Sequence, residues 1–198
     1  LLSELGAKVV LVGRDNGRLQ KTMLSLAGVG HALEVFDLTD LDNIPVWLKL
    51  LANNNGELNG LVHCAGIRTT LPIRAITWQS MEETLRTNIG AAVSLVRGFR
   101  QKGVRADDAS IVLMASAAGI VGEPGITAYS ASKGGLIAAM RSMAIELASE
   151  NIRVNCVAPA VVDSEMTSRI KDTLPKEQFE VIVSSHPLGI GRPRDVAN

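Results

Sequence analysis

Short apolar segments alternate with longer amphipathic segments along the chain, and this alternation constrains the fold more than any other feature. Strands connected through helices are typical of a parallel sheet covered by helices on both faces, since each parallel connection needs a crossover. The predicted strands are residues 7–12, 31–36, 58–64, 107–116 and 151–157, and the main predicted helices are 15–27, 41–52, 78–101 and 129–149. The sequence therefore predicts one α/β domain over residues 1–198, a doubly wound parallel sheet of the Rossmann-like type.

The composition agrees with this fold and narrows the function. Of the 198 residues, 46% are hydrophobic but only 3% are aromatic, so the core should be aliphatic, as suits parallel strands. The formal net charge is zero, which gives no reason to expect nucleic acid or an anionic membrane as a partner. No apolar run approaches the roughly 20 residues of a membrane helix, and no signal peptide is visible, so we expect a cytoplasmic protein. Cys64 and Cys156 lack metal-ligand spacing and are predicted to be buried, reduced thiols, with no metal site.

The candidate catalytic residues include the only tyrosine of the chain. Tyr129 precedes Lys133 by four residues at the start of the predicted helix over 129–149, so both side chains lie on one face, one turn apart. An ammonium beside a phenol favours the phenolate, and such a pair can pass a proton in either direction. Ser116 ends an apolar strand, where a hydroxyl can help to hold a polarised oxygen.

Together with Asn88, these residues resemble the serine, tyrosine, lysine and asparagine tetrad of the classical short-chain dehydrogenase/reductase family, in particular its 3-oxoacyl-acyl carrier protein reductase-like members. The resemblance implies hydride transfer between a nicotinamide cofactor and a carbonyl or alcohol, with Tyr129 as the proton donor. It also implies that Ser116 holds the substrate oxygen and that Lys133 binds the nicotinamide ribose. The backbone carbonyl of Asn88 would hold a water that relays protons. Asn88 and the glycine that follows it also predict an interruption of the helix over 78–101.

The resemblance extends to the adenosine end of the cofactor. In the family, an acidic residue at the end of the strand over 7–12 selects NAD; here the sequence is Gly13-Arg14. A guanidinium pairs well with a phosphate, so Arg14 favours NADP over NAD as the cofactor. Alternatively, Arg14 is a solvated residue before a helix. Asp37 and Leu38 would lie against the adenine ring, although Asp37 could instead cap a turn.

The segment His63-Cys64-Ala65-Gly66 stands where the family has Asn-Asn-Ala-Gly. Ala65 and Gly66 keep the close backbone approach to the cofactor, because neither adds bulk there. Cys64 occupies a cofactor-facing position but lacks the bracing amide of the asparagine. We expect His63 to take over part of that bracing and not to act as an acid or base.

A second family-like segment follows the last predicted strand. Pro159, Val162 and Ser164 are expected to contact the nicotinamide end of the cofactor, Val162 through its backbone and Ser164 through its hydroxyl. Residues 164–185 contain two short helical stretches separated by Pro175, which are the expected substrate lid. The apolar residues around this region do not identify the small-molecule carbonyl or alcohol substrate.

The predicted helix over 129–149 also carries small residues that would let another backbone approach. In the family the corresponding helix packs against its copy, which implies a homo-oligomer, a dimer or tetramer. A contact with the chain's own sheet could use some of the same positions. These positions are Ala131, Gly134, Gly135, Ala138 and Ala139.

Residues 1–5 resemble the end of a helix capped by Gly6. Family members begin with a strand and a Gly-rich turn before this helix and end with a further strand, so we expect both segments to be absent from this sequence. Two alternatives to the dehydrogenase interpretation remain open. One is an extended-type nucleotide-sugar epimerase or dehydratase, which also has Tyr and Lys four apart; the other is a non-catalytic NADP-sensing binding protein.

Overall fold

The computed structural model describes residues 1–198 and confirms the α/β fold. All strand pairs are parallel. The strands are β1 (Val10–Gly13), β2 (Ala32–Val35), β3 (Leu58–His63), β4 (Arg105–Met114) and β5 (Arg153–Val157). The helices are α1 (Asn16–Met23), α2 (Ile44–Asn55), α3 (Trp78–Leu85), α4 (Ala91–Phe99), α5 (Thr127–Leu147), α6 (Glu165–Thr173), α7 (Lys176–Ser184) and α8 (Pro193–Ala197).

The strands form two parallel sheets and not the single sheet that was predicted. One contains β1 and β2, and the other has the order β3-β4-β5. No backbone ladder joins β1 to β3, so each of these strands is paired along one edge only. In both sheets the carboxyl ends of the strands lie at one edge, because the strands are parallel, and the polar candidate residues follow those ends.

An aliphatic core joins β4 and β5 to α2, α4 and α5. Phe99, Ile111, Leu113 and Leu136 have no exposed surface. Burying a side chain of this size contributes about 1.5–3 kcal/mol, so the packing of α4 and α5 on the larger sheet is strongly favoured. The predicted aliphatic character of the core is confirmed, and its main aromatic contact is a stacked Phe36–Trp47 pair at its periphery.

The first helix is shorter than the predicted 15–27. Asp15 is its N-cap, since its carboxylate accepts a hydrogen bond from the Arg18 N–H at 3.0 Å. Leu19 is buried, but Leu24 lies beyond the helix and is 88% exposed. The segment after Met23 therefore does not pack against the core. The spacing of apolar residues alone predicted a helix that is longer than the observed one.

The second helix has 12 residues, as predicted, but it lies three residues further along the chain, from Ile44 through the asparagine run to Asn55. The Asn55 amide donates to the Leu51 carbonyl at 2.9 Å and so satisfies the last turn. Gly56 ends the helix with a φ of 87°. At the amino terminus, residues 2–6 form a hydrogen-bonded turn and not the end of a helix.

The predicted interruption of the helix over 78–101 is confirmed. α3 and α4 are joined by a π-helical turn at Arg86–Gly90. A π turn adds a residue to the helical repeat and displaces the backbone locally. This turn carries Asn88 inward, where its side chain is completely buried.

A close backbone contact fixes α5 against the edge of the larger sheet. A 3₁₀ turn, Ala117–Gly119, follows β4, and Gly119 lies directly on α5. A Cβ at position 119 would lie 2.6 Å from the Gly134 nitrogen and 2.7 Å from the Lys133 carbonyl carbon. Gly134 thus makes an intrachain contact, and so does Gly135, which packs on the Ile89 side chain.

We predict that Gly119→Ala destabilises the protein by about 3 kcal/mol, because the added methyl group meets backbone atoms that cannot rotate away. Gly135→Ala is the matched control. Its methyl group would lie 2.7 Å from the flexible end of Ile89, and alanine favours a helix interior. Chemical denaturation should show a much larger loss for Gly119→Ala, and equal losses would contradict the proposed contact.

Candidate active site

Tyr129 and Lys133 lie on the buried face of α5, as the spacing predicted. Their exposed fractions are 7% and 4%. The Lys133 Nζ is 5.7 Å from the centroid of the Tyr129 ring and donates a hydrogen bond to the Met114 carbonyl at 2.6 Å. The end of β4 therefore holds the ammonium group beside the phenol.

Burial lowers the pKa of Lys133 to about 8 from an ordinary value of 10.5. The ammonium loses water, and the Met114 carbonyl is its one direct hydrogen-bond partner in the chain. At pH 7 the lysine keeps its charge, and it loses that charge as the pH rises through about 8. The site therefore holds a cation next to the phenol at neutral pH.

Ser116 lies two residues beyond the end of β4, which stops at Met114 and not at residue 116 as predicted. Its hydroxyl oxygen accepts a hydrogen bond from the Ala118 N–H at 3.2 Å and caps the 3₁₀ turn. The neighbouring Ala117 N–H donates to the Pro159 carbonyl at 2.8 Å, which fixes this backbone to the segment after β5. The hydroxyl hydrogen of Ser116 can still donate to a further group.

The Asn88 side chain connects three parts of the site. Its Oδ1 accepts from the Ile67 N–H at 2.9 Å, and its Nδ2 donates to the Ile67 carbonyl at 3.0 Å. The Nδ2 also donates to the Ser132 hydroxyl at 2.8 Å, and that hydroxyl donates to the Tyr129 carbonyl at 2.7 Å. Asn88 therefore holds the loop after β3 against the helix that carries Tyr129. This role of the side chain was not predicted from the sequence.

His63 is 97% buried at the end of β3, since its exposed fraction is 3%. Burial, together with the positive charge of Lys133, lowers its pKa to about 4, an effect that the backbone of Asn88 partly opposes. The Nε2 has no hydrogen-bond partner. The imidazole is therefore neutral at pH 7, and it occupies a core position in the strand end.

The three residues after His63 have different surroundings. Cys64 is exposed, and the other cysteine, Cys156, is half-buried, so the prediction of two buried thiols was wrong. Both are free thiols. Ala65 is exposed, and a Cβ on Gly66 would lie 3.2 Å from the Asn88 Oδ1 and 3.4 Å from the Lys133 Nζ. The absence of a side chain at Gly66 lets the loop backbone lie close to the Asn88 amide and the Lys133 ammonium without crowding them.

Arg14 and Asp37, which were predicted separately, lie together beyond the ends of β1 and β2. The Arg14 Nη1 is 3.8 Å from the Asp37 Oδ2, and both side chains are about half or more exposed. Asp37 also caps a turn, because its Oδ1 accepts from the Thr39 N–H and hydroxyl at 2.9 and 2.8 Å. These bonds, and then the charge of Arg14, lower the pKa of Asp37. Leu38 packs against the edge of the core.

The segment after β5 places Pro159, Val162 and Ser164 along the same edge of the larger sheet. Ser164 is the N-cap of α6, with its hydroxyl accepting from the Thr167 N–H at 3.4 Å. The Val162 carbonyl accepts from the Thr167 hydroxyl at 2.5 Å. Val162 forms a β-bridge with Gly191, and its two hydrogen bonds are made by the Val161 carbonyl and the Asp163 N–H. The Val162 N–H takes no part in this bridge.

The two predicted helical stretches over 164–185 are confirmed as α6 and α7, which are separated at Pro175. Their role as a substrate lid stays a prediction. An ion pair between Arg18 and Glu165, at 2.7 Å, joins α1 to the start of α6. None of the helices combines the length and the apolar composition that crossing a membrane would require. The structure contains no cluster of His, Cys, Asp and Glu side chains arranged to hold a metal ion.

Sequence reasoning did not identify Arg68 as a residue of the candidate site. The Arg68 Cζ lies 5.8 Å from the centroid of the Tyr129 ring, about as far as the Lys133 ammonium on the helix. It also missed Ser132, although a serine one turn after Tyr129 on the same buried face is a detectable signal. No sequence signal marks Arg68, because its position depends on how the loop folds back.

The whole chain, residues 1–198, matches the family model described as Enoyl-(Acyl carrier protein) reductase. The chain belongs to the short-chain dehydrogenase/reductase family. It is therefore an NAD(P)-dependent oxidoreductase of that family, acting on CH–OH or C=O groups, and the predicted enzyme class is confirmed.

Among its relatives, 3-oxoacyl-[acyl-carrier-protein] reductase FabG of Rickettsia prowazekii is 35% identical over 199 residues, which cover 100% of this chain and 78% of the relative. Carbonyl reductase family member 4 of Danio rerio is 33% identical over 200 residues, covering 100% of this chain and 80% of that protein. The NADPH-bound short chain oxidoreductase of Pseudomonas aeruginosa PAO1, which has an atypical catalytic centre, has a similar fold. Its TM-score is 0.88 at 26% identity, covering 99% of this chain and 79% of that one.

We predict that His63→Asn reduces the loss of stability in acid. The unfolded chain binds a proton at His63 near the ordinary pKa of 6.5, whereas the folded chain does so only near 4. The free energy of unfolding should therefore fall as the pH is lowered from 6.5 to 4, by up to about 3 kcal/mol from this residue.

Urea unfolding of both proteins across this pH range tests the prediction. The wild-type curve should fall more steeply than that of the variant between pH 6.5 and 4, and the two curves should run parallel above pH 6.5. Parallel curves over the whole range would show that His63 is not buried in its neutral form.

Proposed function

We propose that this protein is an NADP-dependent oxidoreductase that interconverts a small-molecule carbonyl and the corresponding alcohol. The observation that carries the proposal is the buried Tyr129–Lys133 pair, with Ser116 near the end of the adjoining strand. The FabG and carbonyl reductase relatives also support a reductase. They do not favour the extended-type epimerase or dehydratase, or a non-catalytic NADP-sensing protein.

The residues present fit a nicotinamide dinucleotide. Gly66 leaves open a space next to the Lys133 ammonium that a Cβ would enter, so a ribose hydroxyl could reach Lys133 there. Cys64 and Ala65 are exposed on the same loop, and Pro159, Val162 and Ser164 line the neighbouring strand end. NADPH, when bound, would supply the hydride for reduction of the carbonyl.

The chain's own groups would handle the oxygen and the proton. Tyr129 would donate its phenolic proton to the carbonyl oxygen as negative charge develops there. Ser116 would donate a hydrogen bond to the same oxygen, and this bond strengthens in the transition state. The Lys133 ammonium would stabilise the phenolate that forms and hold the ribose.

Asn88 has a role that combines the family resemblance with its observed contacts. Its side chain positions Ile67 and Ser132 and so fixes the loop after β3 relative to Tyr129. Its backbone carbonyl is proposed to hold the water that returns a proton to the Lys133–Tyr129 pair. A conservative change at this position would disturb both functions.

Selection of NADP is proposed to depend on Arg14. Its guanidinium is 69% exposed and pairs only loosely with Asp37, at 3.8 Å, so it can turn to a 2′-phosphate. Position 13, where the family carries the carboxylate that selects NAD, is glycine. Asp37 and Leu38 would contact the adenine ring, and Asp37 has Oδ2 available because Thr39 uses Oδ1.

We also propose that the protein forms a homo-oligomer, a dimer or tetramer, through α5. Gly134 and Gly135 make intrachain contacts, but Ala131 and Ala138 are exposed, and Ile145 is 82% exposed on the same helix. A stripe of small and apolar residues on the exposed face of α5 would suit packing against α5 of a second subunit. The cytoplasmic localisation stays a prediction.

We predict that Tyr129→Phe lowers kcat for carbonyl reduction by about 10²–10⁴-fold, because the phenol that donates the proton is removed. The ring keeps its packing with Ala118 and Ile126, so the fold should be retained. NADPH affinity, measured by fluorescence, serves as the control and should change little. Full activity in the variant would show that another group donates the proton.

We predict that Arg14→Ala weakens NADPH binding at least tenfold and leaves NADH binding nearly unchanged. Loss of a charge-assisted contact with phosphate costs about 1.5–3 kcal/mol, which corresponds to that range. Side-by-side fluorescence titrations with the two nucleotides measure the effect. Lys21→Ala, which removes an exposed charge from α1, is the matched control. Tighter binding of NADH than NADPH by the wild type would contradict the proposed preference.

A further inference from the structure

Two loops meet over the Tyr129 ring, and neither has a role in the proposed reaction. One follows β3 and contains Arg68; the other precedes α5 and contains Glu123. The Leu71 N–H donates to the Gly125 carbonyl at 2.7 Å, and the Arg68 Nη2 donates to the Glu123 Oε2 at 3.1 Å. The backbone bond joins the loops, and the ion pair lies beside it.

Arg68 is unusual because its charged group is buried over the proton donor. Its side chain is only 13% exposed, and its Cζ lies 5.8 Å from the centroid of the Tyr129 ring. The Nε is buried and has no hydrogen-bond partner. A guanidinium has five N–H donors in a planar fork, and here Glu123 accepts from only one edge of it.

The proton chemistry does not require this second cation, since Lys133 already lies at 5.7 Å from the same ring. Burying a guanidinium with unused donors is costly unless a ligand completes its hydrogen bonds. The planar fork of arginine matches the two oxygens of a carboxylate, and this geometry favours a carboxylate over a single-atom acceptor.

We infer that Arg68 recognises a carboxylate on the carbonyl substrate, with Glu123 as its partner when no substrate is bound. The inference rests on the proposed function, because Tyr129 marks where the carbonyl oxygen is protonated. A carboxylate at Arg68 is then only a few bonds from the reacting carbonyl. The substrate class is a short 2-oxo or 3-oxo acid, or the corresponding hydroxy acid in the reverse direction.

Glu123 competes with the substrate carboxylate for Arg68. Its side chain is 40% exposed, so it can turn to solvent when a substrate carboxylate takes its place on Arg68. Removing its charge should make Arg68 more available. Glu123→Gln is therefore expected to raise the activity toward oxo acids, whereas a purely structural ion pair would lose stability without such a gain.

Matched pairs of acid and ester test the inference: pyruvate with methyl pyruvate, and acetoacetate with ethyl acetoacetate. With NADPH, the wild type should reduce the acid of at least one pair with a higher kcat/KM than its ester. Arg68→Gln should lower kcat/KM for that acid at least tenfold more than for the ester, and Arg68→Lys should keep part of the preference. Glu123→Gln should raise kcat/KM for the acid several-fold.

Arg74→Gln, an exposed arginine in the same loop, is the matched control and should leave the preference unchanged. Thermal unfolding and NADPH binding of each variant check that the fold and the cofactor site are intact. Equal losses for acid and ester in Arg68→Gln, or esters reduced as well as acids by the wild type, would overturn the inference and leave the proposed function standing. Reduction of neither member of either pair, with no NADPH binding, would overturn both.

Discussion

The close approach of Gly119 to Gly134 is the contact on which the rest of the site depends. A Cβ at position 119 would lie 2.6 Å from backbone, so only glycine allows α5 to lie this near the turn after β4. The turn that Ser116 caps thereby packs on the helix, with Ala118 against Tyr129. The close approach also lets Lys133 reach the Met114 carbonyl at the strand end. The geometry of the candidate catalytic groups thus follows from a backbone contact that none of their side chains makes.

Burying the Lys133 ammonium costs free energy, and the polar groups around it reduce that cost. Burial lowers the pKa of Lys133 to about 8, yet its carbonyl partner keeps it in place. Asn88 and Ser132 satisfy each other and the nearby backbone, and these neutral groups hold the start of the loop after β3 next to the ammonium. His63 stays neutral at pH 7 because burial lowers its pKa, and the positive charge of Lys133 lowers it further. Electrostatics and packing therefore favour the same single charged state at neutral pH.

Family membership accounts for the Ser, Tyr, Lys and Asn pattern of the candidate site, and the structure adds a charged pair in two nearby loops. The Tyr129–Lys133 spacing, the serine after the strand and the π turn at Asn88 all match the family pattern. The Arg68–Glu123 pair joins the loop after β3 to the loop before α5, and loops on a rigid scaffold are where specificity usually resides. A general proton-transfer site combined with a particular charged loop would let one fold accept a particular class of carbonyl compound.

The sequence alone determined the order of strands and helices, the parallel arrangement, and the shared helix face of Tyr129 and Lys133, because these depend on local periodicity. It also located the break at Asn88, since asparagine and glycine are unfavourable within a helix. Tertiary structure decided the rest. The division into two sheets, the extension of α2 through Asn55 and the early end of α1 depend on which surfaces meet. Arg68 reaches the Tyr129 ring, and Arg14 reaches Asp37, only because distant segments fold onto one sheet edge, which local sequence patterns do not encode.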